Sequence, residues 1–232
     1  MAVTSFCSGP PAGLEIELGL PDCQGQYDNA EIGVWYDENF VDDDGGDDAF
    51  IMDSFSGQYA MWQTGCIDIH VTIGKVALAL DLKVTCEDGL KAWAAWVNTN
   101  YPATDRAAGA YTMDAWQLFT GRQLDGCVGR GYVVSRTNGD ADSSEISIVE
   151  TSKKTCGWFT CNEGLRSTKM VGLVSGHELG HNWASLPDTN ATKCTGTNKY
   201  DIMHGVESKK DGYCFLDAHT DQIHTVGNGN FE

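Results

Sequence analysis

The stretch His177-Glu178-Leu179-Gly180-His181-Asn182-Trp183-Ala184-Ser185-Leu186-Pro187-Asp188 decides how the rest of the chain is read. Positions four apart on a helix share a face, so His177 and His181 can offer ring nitrogens to one Zn²⁺. Glu178, one residue along and turned toward the substrate side, is placed to take a proton from a zinc-activated water. Upstream, Met170-Val171-Gly172-Leu173-Val174-Ser175-Gly176 is apolar and small with no Pro, as a buried helix requires. Pro187 and Asp188 mark where that helix has already ended, and the pattern predicts it over 168–184. The plainer alternative is a pair of histidines satisfied by the core or the surface.

The same stretch, taken with Asp114-Ala115-Trp116-Gln117-Leu118-Phe119-Thr120-Gly121, with Leu124-Asp125-Gly126-Cys127-Val128-Gly129-Arg130-Gly131-Tyr132-Val133 and with Tyr200-Asp201-Ile202-Met203, resembles the metzincin zinc peptidases. Within them it is most similar to the ADAM/adamalysin (reprolysin) branch, and the similarity is dense from about Asp114 to Cys214. The resemblance implies an α/β fold: a twisted, mixed, mainly parallel sheet flanked by helices, with a zinc-site helix and a small lower lobe carrying a methionine turn. Residues 1–232 would form a single catalytic domain, with an upper lobe of about 1–183 and a lower lobe of about 184–232. Met203 would underlie the metal without binding it. The segment 131–135 would be the edge strand along which an extended substrate lies, making Gly129, Gly131 and Tyr132 candidate substrate-binding positions. A Cys194–Cys214 bridge is implied in the same way.

Two departures from the family pattern fall at the third metal ligand. The family has Gly, in a left-handed conformation, where this chain has Ala184, which would be strained there. It has its third His where this chain has Pro187, which offers no donor atom. Asp188 is the candidate third ligand, since a carboxylate oxygen is an accepted zinc donor. His204, His219 and His224 are the alternatives. An Asp ligand would make the metal a weaker Lewis acid than three histidines do, so catalysis would lean harder on Glu178.

The net charge of −18, from 15 Lys+Arg against 33 Asp+Glu, argues against nucleic acid as a partner. No apolar run, Val76 to Leu80 among them, is long enough to span a bilayer. Nine Cys without paired Cys-x-x-Cys spacing point to disulfides and hence to an extracellular protein or ectodomain. An odd total leaves at least one thiol free or bonded outside the chain, and Cys156 with Cys161 can close a short loop. Asn190-Ala191-Thr192 is a glycosylation sequon, which fits secretion. The stretch Met1–Gly9 does not look like a signal peptide, as expected of a mature domain that a propeptide or further domains can flank. The run Asp42-Asp43-Asp44-Gly45-Gly46-Asp47-Asp48 reads as a solvated loop; calcium is a second candidate cofactor there, although the spacing is not that of an EF-hand.

Along the chain, β-branched and aromatic content predicts a strand over 31–36, and a helix is expected over 49–64. Ile67, Ile69, Val71 and Ile73 alternate as in a half-buried strand, and 76–84 is expected to return beside it across a Gly74-Lys75 turn. Residues 87–98 form a helix with Leu90, Trp93, Ala94 and Val97 on one face. Further strands are expected to end at Leu118-Phe119 and to span 144–150, with a closing helix over 216–226. The composite expectation is a secreted zinc endopeptidase acting on protein or peptide substrates. The rivals are a catalytically inactive relative that keeps the cleft for binding, and a zinc hydrolase of other substrates.

Overall fold

Strands and helices interleave along the chain because apolar residues switch repeatedly between a two-residue and a 3.6-residue period. In the computed structural model the described residues are 4–6, 28–42, 45–63, 67–78, 80, 84–102, 113–132, 145–156, 161–184, 186, 188, 194, 200–204, 213–214, 216, 218–219 and 222. The elements in chain order are β1 (Thr4–Phe6), β2 (Asp28–Tyr36), α1 (Glu38–Asp42), α2 (Asp48–Gln63), β3 (Ile67–Lys75), β4 (Val84–Thr85), α3 (Cys86–Asn100), β5 (Ala115–Thr120) and β6 (Leu124–Asp125). There follow β7 (Gly129–Gly131), β8 (Ile146–Glu150), β9 (Ser152–Cys156), β10 (Cys161–Leu165), α4 (Thr168–Ala184), β11 (Tyr200–Asp201) and β12 (Tyr213–Cys214).

Six strands form one sheet in the order β1-β3-β2-β5-β8-β7. The four inner strands run parallel, and β1 and β7 are antiparallel at the two edges. Inner parallel strands are covered on both faces, and β5 and β8 are accordingly buried at every residue. Alternate residues of β2 and β5 feed two separate cores. Ile32, Val34, Ala115 and Phe119 join Phe55, Trp62, Val171, Leu179 and Trp183 on the face covered by α2 and α4. Trp35, Trp116 and Leu118 join Leu90, Trp93 and Val97 on the face covered by α3. Trp35 stacks on Trp116 with ring centroids 5.0 Å apart, and Trp62 meets Trp183 edge-on at 4.8 Å. The result is a mixed α/β sandwich with a mainly parallel central sheet between helices.

Local signals fix where the helices begin. Thr85 caps α3, its hydroxyl accepting from Asp88 N at 3.1 Å and donating to the Asp88 carboxylate at 2.7 Å. Cys86, the first residue of α3, is bonded to Cys127 just ahead of β7. Asp37 caps α1 through Phe40 N at 3.0 Å and also accepts from Thr120 Oγ1 at 2.5 Å, joining the end of β2 to the end of β5. Burial raises its carboxyl pKa, against the pull of those hydrogen bonds. Asp47 caps α2 by accepting from Phe50 N at 2.8 Å.

Two expectations need correction. The hairpin across Gly74-Lys75 does not form: β3 continues through Lys75 and pairs with β1 and β2, while residues 76–78 leave the sheet. Gly74 is a point of close approach instead of a turn, because a Cβ there would lie 2.8 Å from Trp35 Nε1. The edge strand begins earlier than expected, at Gly129, and ends at Gly131; 133–144 lies outside the described residues. The hairpin of β9 and β10, which sets Cys156 opposite Cys161 in register, was signalled only by that pair of cysteines. Of the expected closing helix, residues 218–219 and 222 are helical and the others lie outside the described residues, apart from Leu216, which precedes it.

Candidate metal centre

The helix α4 packs at close range against α2 because its small residues permit it. A Cβ on Gly172 would fall 2.2 Å from the Ser54 carbonyl oxygen of α2. Gln117, fully buried in β5, ties the middle of α4 to the middle of the sheet. Its amide donates to Ser175 O at 3.1 Å, and the Ser175 hydroxyl donates to Gln117 Oε1 at 2.6 Å. Near the helix end, Asn182 Nδ2 donates to Tyr132 O at 2.9 Å and to Ile146 O at 3.3 Å. Gln117, Ser175 and Asn182 carry no titratable group, and no motif in the sequence gives them a role.

His177 and His181 share a face of α4 as expected, with ring centroids 4.7 Å apart. His177 Nδ1 lies 2.9 Å from Ile202 O, and His181 Nδ1 lies 2.6 Å from Leu186 O. A carbonyl only accepts, so each Nδ1 carries the proton and each Nε2 keeps its lone pair. The two Nε2 atoms are 3.1 Å apart, and Asp188 Oδ1 is 3.1 Å from the first and 3.4 Å from the second. Three electron-pair donors at these separations suit a tetrahedral cation, whose ligand atoms stand about 3.3 Å apart for bonds of about 2.0–2.1 Å. The cluster His177, His181 and Asp188 can therefore hold a metal ion, and the donors fit zinc. The His side chains are 15% and 11% exposed and Asp188 is 68% exposed, so the cluster opens to solvent on the Asp188 side.

Of the other candidates, His204 adjoins Met203 but contributes no atom to this cluster, and His219 pairs with buried Asp201 at 3.2 Å. His224, the Asn190 sequon, Ala191, Thr192 and Pro187 lie outside the described residues. The strain expected at Ala184 does not arise, because α4 simply runs through it in helical conformation. Leu186 N then bonds back to Gly180 O at 3.3 Å, which returns the chain and brings Asp188 to the histidines.

Met203 is fully buried, and a Cβ on Gly180 would lie 2.4 Å from its Sδ, so the methionine rests against the turn of helix between the two histidines. Its segment is anchored: Ile202 N donates to Cys214 O at 2.8 Å, β11 pairs with β12, and Cys194 is bonded to Cys214. The same segment supplies the carbonyl that orients His177.

Glu178 points from α4 toward β7 and is 5% exposed. Burial, and next the Asp188 charge, push its pKa up to about 8, against the Gly131 N–H and the Arg130 charge, which act the other way. A cation at the three donors would also lower it. Burial first, and then the His177 charge, push the His181 pKa down, which favours the neutral ring that a metal requires. Gly129 and Gly131 lie on β7, whose outer side has no strand partner among the described residues. Tyr132 is half-buried against the α3-side core. In the acidic run, Asp47 is occupied as a helix cap, and among the described residues no group of metal donors forms there.

No family model matches the chain, and no curated protein matches it. Among solved structures it is similar to a chain described as "Structure of a chaperone-substrate complex", with a TM-score of 0.53 and 10% identity. That match covers 88% of this chain and 34% of the other, so this chain spans about a third of that one's length. At such identity the likeness concerns the fold alone. No helix among the described residues is long and apolar enough to cross a membrane. The disulfides Cys86–Cys127 and Cys194–Cys214, found among the described residues, are compatible with an extracellular protein.

Proposed function

We propose that this chain is a secreted zinc-dependent endopeptidase of metzincin type, similar to the ADAM/adamalysin branch but with Asp188 as third ligand. The observation that carries the reading is the convergence of His177, His181 and Asp188 beside a buried carboxylate, Glu178, next to a strand edge that has no strand partner among the described residues. A zinc ion held by these three residues would supply Lewis acidity toward a scissile carbonyl and toward water. Glu178 takes a proton from the attacking water and passes it to the departing amine, a role for which its burial beside the three donors places it. The outer edge of β7 offers backbone groups besides the Gly131 N–H, which Glu178 engages, to hold a peptide in extended form. Ile202 O and Leu186 O keep both imidazoles in the metal-binding tautomer throughout.

The test is hydrolysis of casein and of a quenched peptide by the full chain with its disulfides formed. Cleavage should stop on chelation, return with zinc, and be absent in Glu178→Ala while zinc remains bound. A chain that binds zinc and cleaves neither substrate is a binding domain, and the peptidase reading is then wrong.

A further inference from the structure

We propose that Gly129 and Gly131 are positioning residues: their missing side chains let β7 close on the Glu178 carboxylate and fix where it stands. The inference rests on the peptidase reading for its catalytic consequence, but its geometric content does not. The two glycines alternate with Arg130, so both face α4 while Arg130 is exposed on the other side. A Cβ on Gly129 would lie 2.8 Å from Glu178 Oε1 and 3.2 Å from its Cγ, and would lie 2.4 Å from Val174 Cγ1. A Cβ on Gly131 would lie 3.2 Å from Glu178 Oε2 and 3.1 Å from Glu178 O. Each glycine therefore guards one carboxylate oxygen. The Gly131 N–H adds a hydrogen bond to the same carboxylate.

The carboxylate is thus gripped between its own helix and the strand along which a peptide would be held. Neither glycine has positive φ, so conformational freedom does not explain why both positions are glycine, whereas the space occupied by Glu178 does. Asn182 locks the spacing by bonding from α4 to Tyr132 O at the end of the same strand. Gly129 and Gly131 accordingly set the distance between the proton shuttle and a bound peptide, and they do so by what they lack.

The experiment separates packing from positioning. Val174→Ala removes the tightest contact that a residue-129 methyl group would make and leaves its contact with Glu178. Gly129→Ala, Val174→Ala and the double variant are compared by melting temperature, zinc content, crystal structure, and kcat and KM on a quenched peptide. The double variant should melt with Val174→Ala and bind zinc as wild type does. Its Glu178 carboxylate should stand about 1 Å away from its wild-type position, and kcat should fall about 100-fold at unchanged KM. A carboxylate left in place, or an undiminished kcat in the double variant, overturns the inference. The carboxylate position decides the matter in a protein of any activity, whereas a wild type without hydrolysis counts against the peptidase reading instead.

Discussion

Replacing Gln117 with Leu should destabilise the fold by about 2–3 kcal/mol, because it breaks a two-way clasp between the sheet and α4. Both Gln117 and Ser175 are fully buried, and their two hydrogen bonds are 3.1 and 2.6 Å long. A buried group that loses its partner costs about 1–3 kcal/mol, whereas replacing both partners by apolar groups is close to neutral. Ser175→Ala should therefore cost about 1–3 kcal/mol alone, and the double variant should cost less than the sum by at least about 1 kcal/mol. For a chain of this size the Gln117→Leu loss corresponds to a melting temperature lower by roughly 4–12 °C. Urea unfolding of the four proteins, disulfides intact, measures the coupling. Additivity within about 0.5 kcal/mol would refute the reasoning, since it would mean the two side chains do not act as a pair.

In the metal-free protein, Glu178 at about 8 against an ordinary 4.5 stabilises the fold fully only below 4.5, and that contribution is lost as pH rises through 8. Metal-free Glu178→Gln should thus match wild type near pH 5 and exceed it at pH 8.5 by a few kcal/mol in chemical denaturation, a gap that zinc should shrink. Gly172→Ala should destabilise by about 1–3 kcal/mol, because its nearest neighbour is the Ser54 carbonyl oxygen and backbone cannot give way. Gly164→Ala, with nothing within 4 Å of the added carbon, should stay within about 0.5 kcal/mol of wild type in the same melts. Replacing Cys86 and Cys127 together by Ser opens a link between residues 41 apart and should cost about 3–4 kcal/mol, read from urea midpoints.

The helix α4 was legible in the sequence to its last residue, because an apolar small-residue run, two histidines and a following Pro all bear on one stretch. The α3 helix and the strands β2, β5 and β8 were also largely legible, being carried by β-branched and aromatic content or by a 3.6 period. The return strand after Ile73 was misread because Gly74 looks like a turn residue, and only the packed structure reveals the Trp35 ring that requires it. Asp188 could be named from chemistry, yet only the bond from Leu186 N to Gly180 O brings its carboxylate to the histidines. Gln117, Ser175 and Asn182 were invisible for a different reason. Each looks like an ordinary polar residue until its long-range partner, 36 to 58 positions away, is known.

Metal stoichiometry tests the central claim most directly. The refolded or secreted chain, dialysed against a weak chelator and then zinc, should hold one zinc per chain by elemental analysis; Asp188→Ala should lose most of it and Glu178→Ala should keep it. A wild-type chain with intact disulfides that stays metal-free in excess zinc, or an Asp188→Ala protein with unchanged zinc content and affinity, would contradict the account.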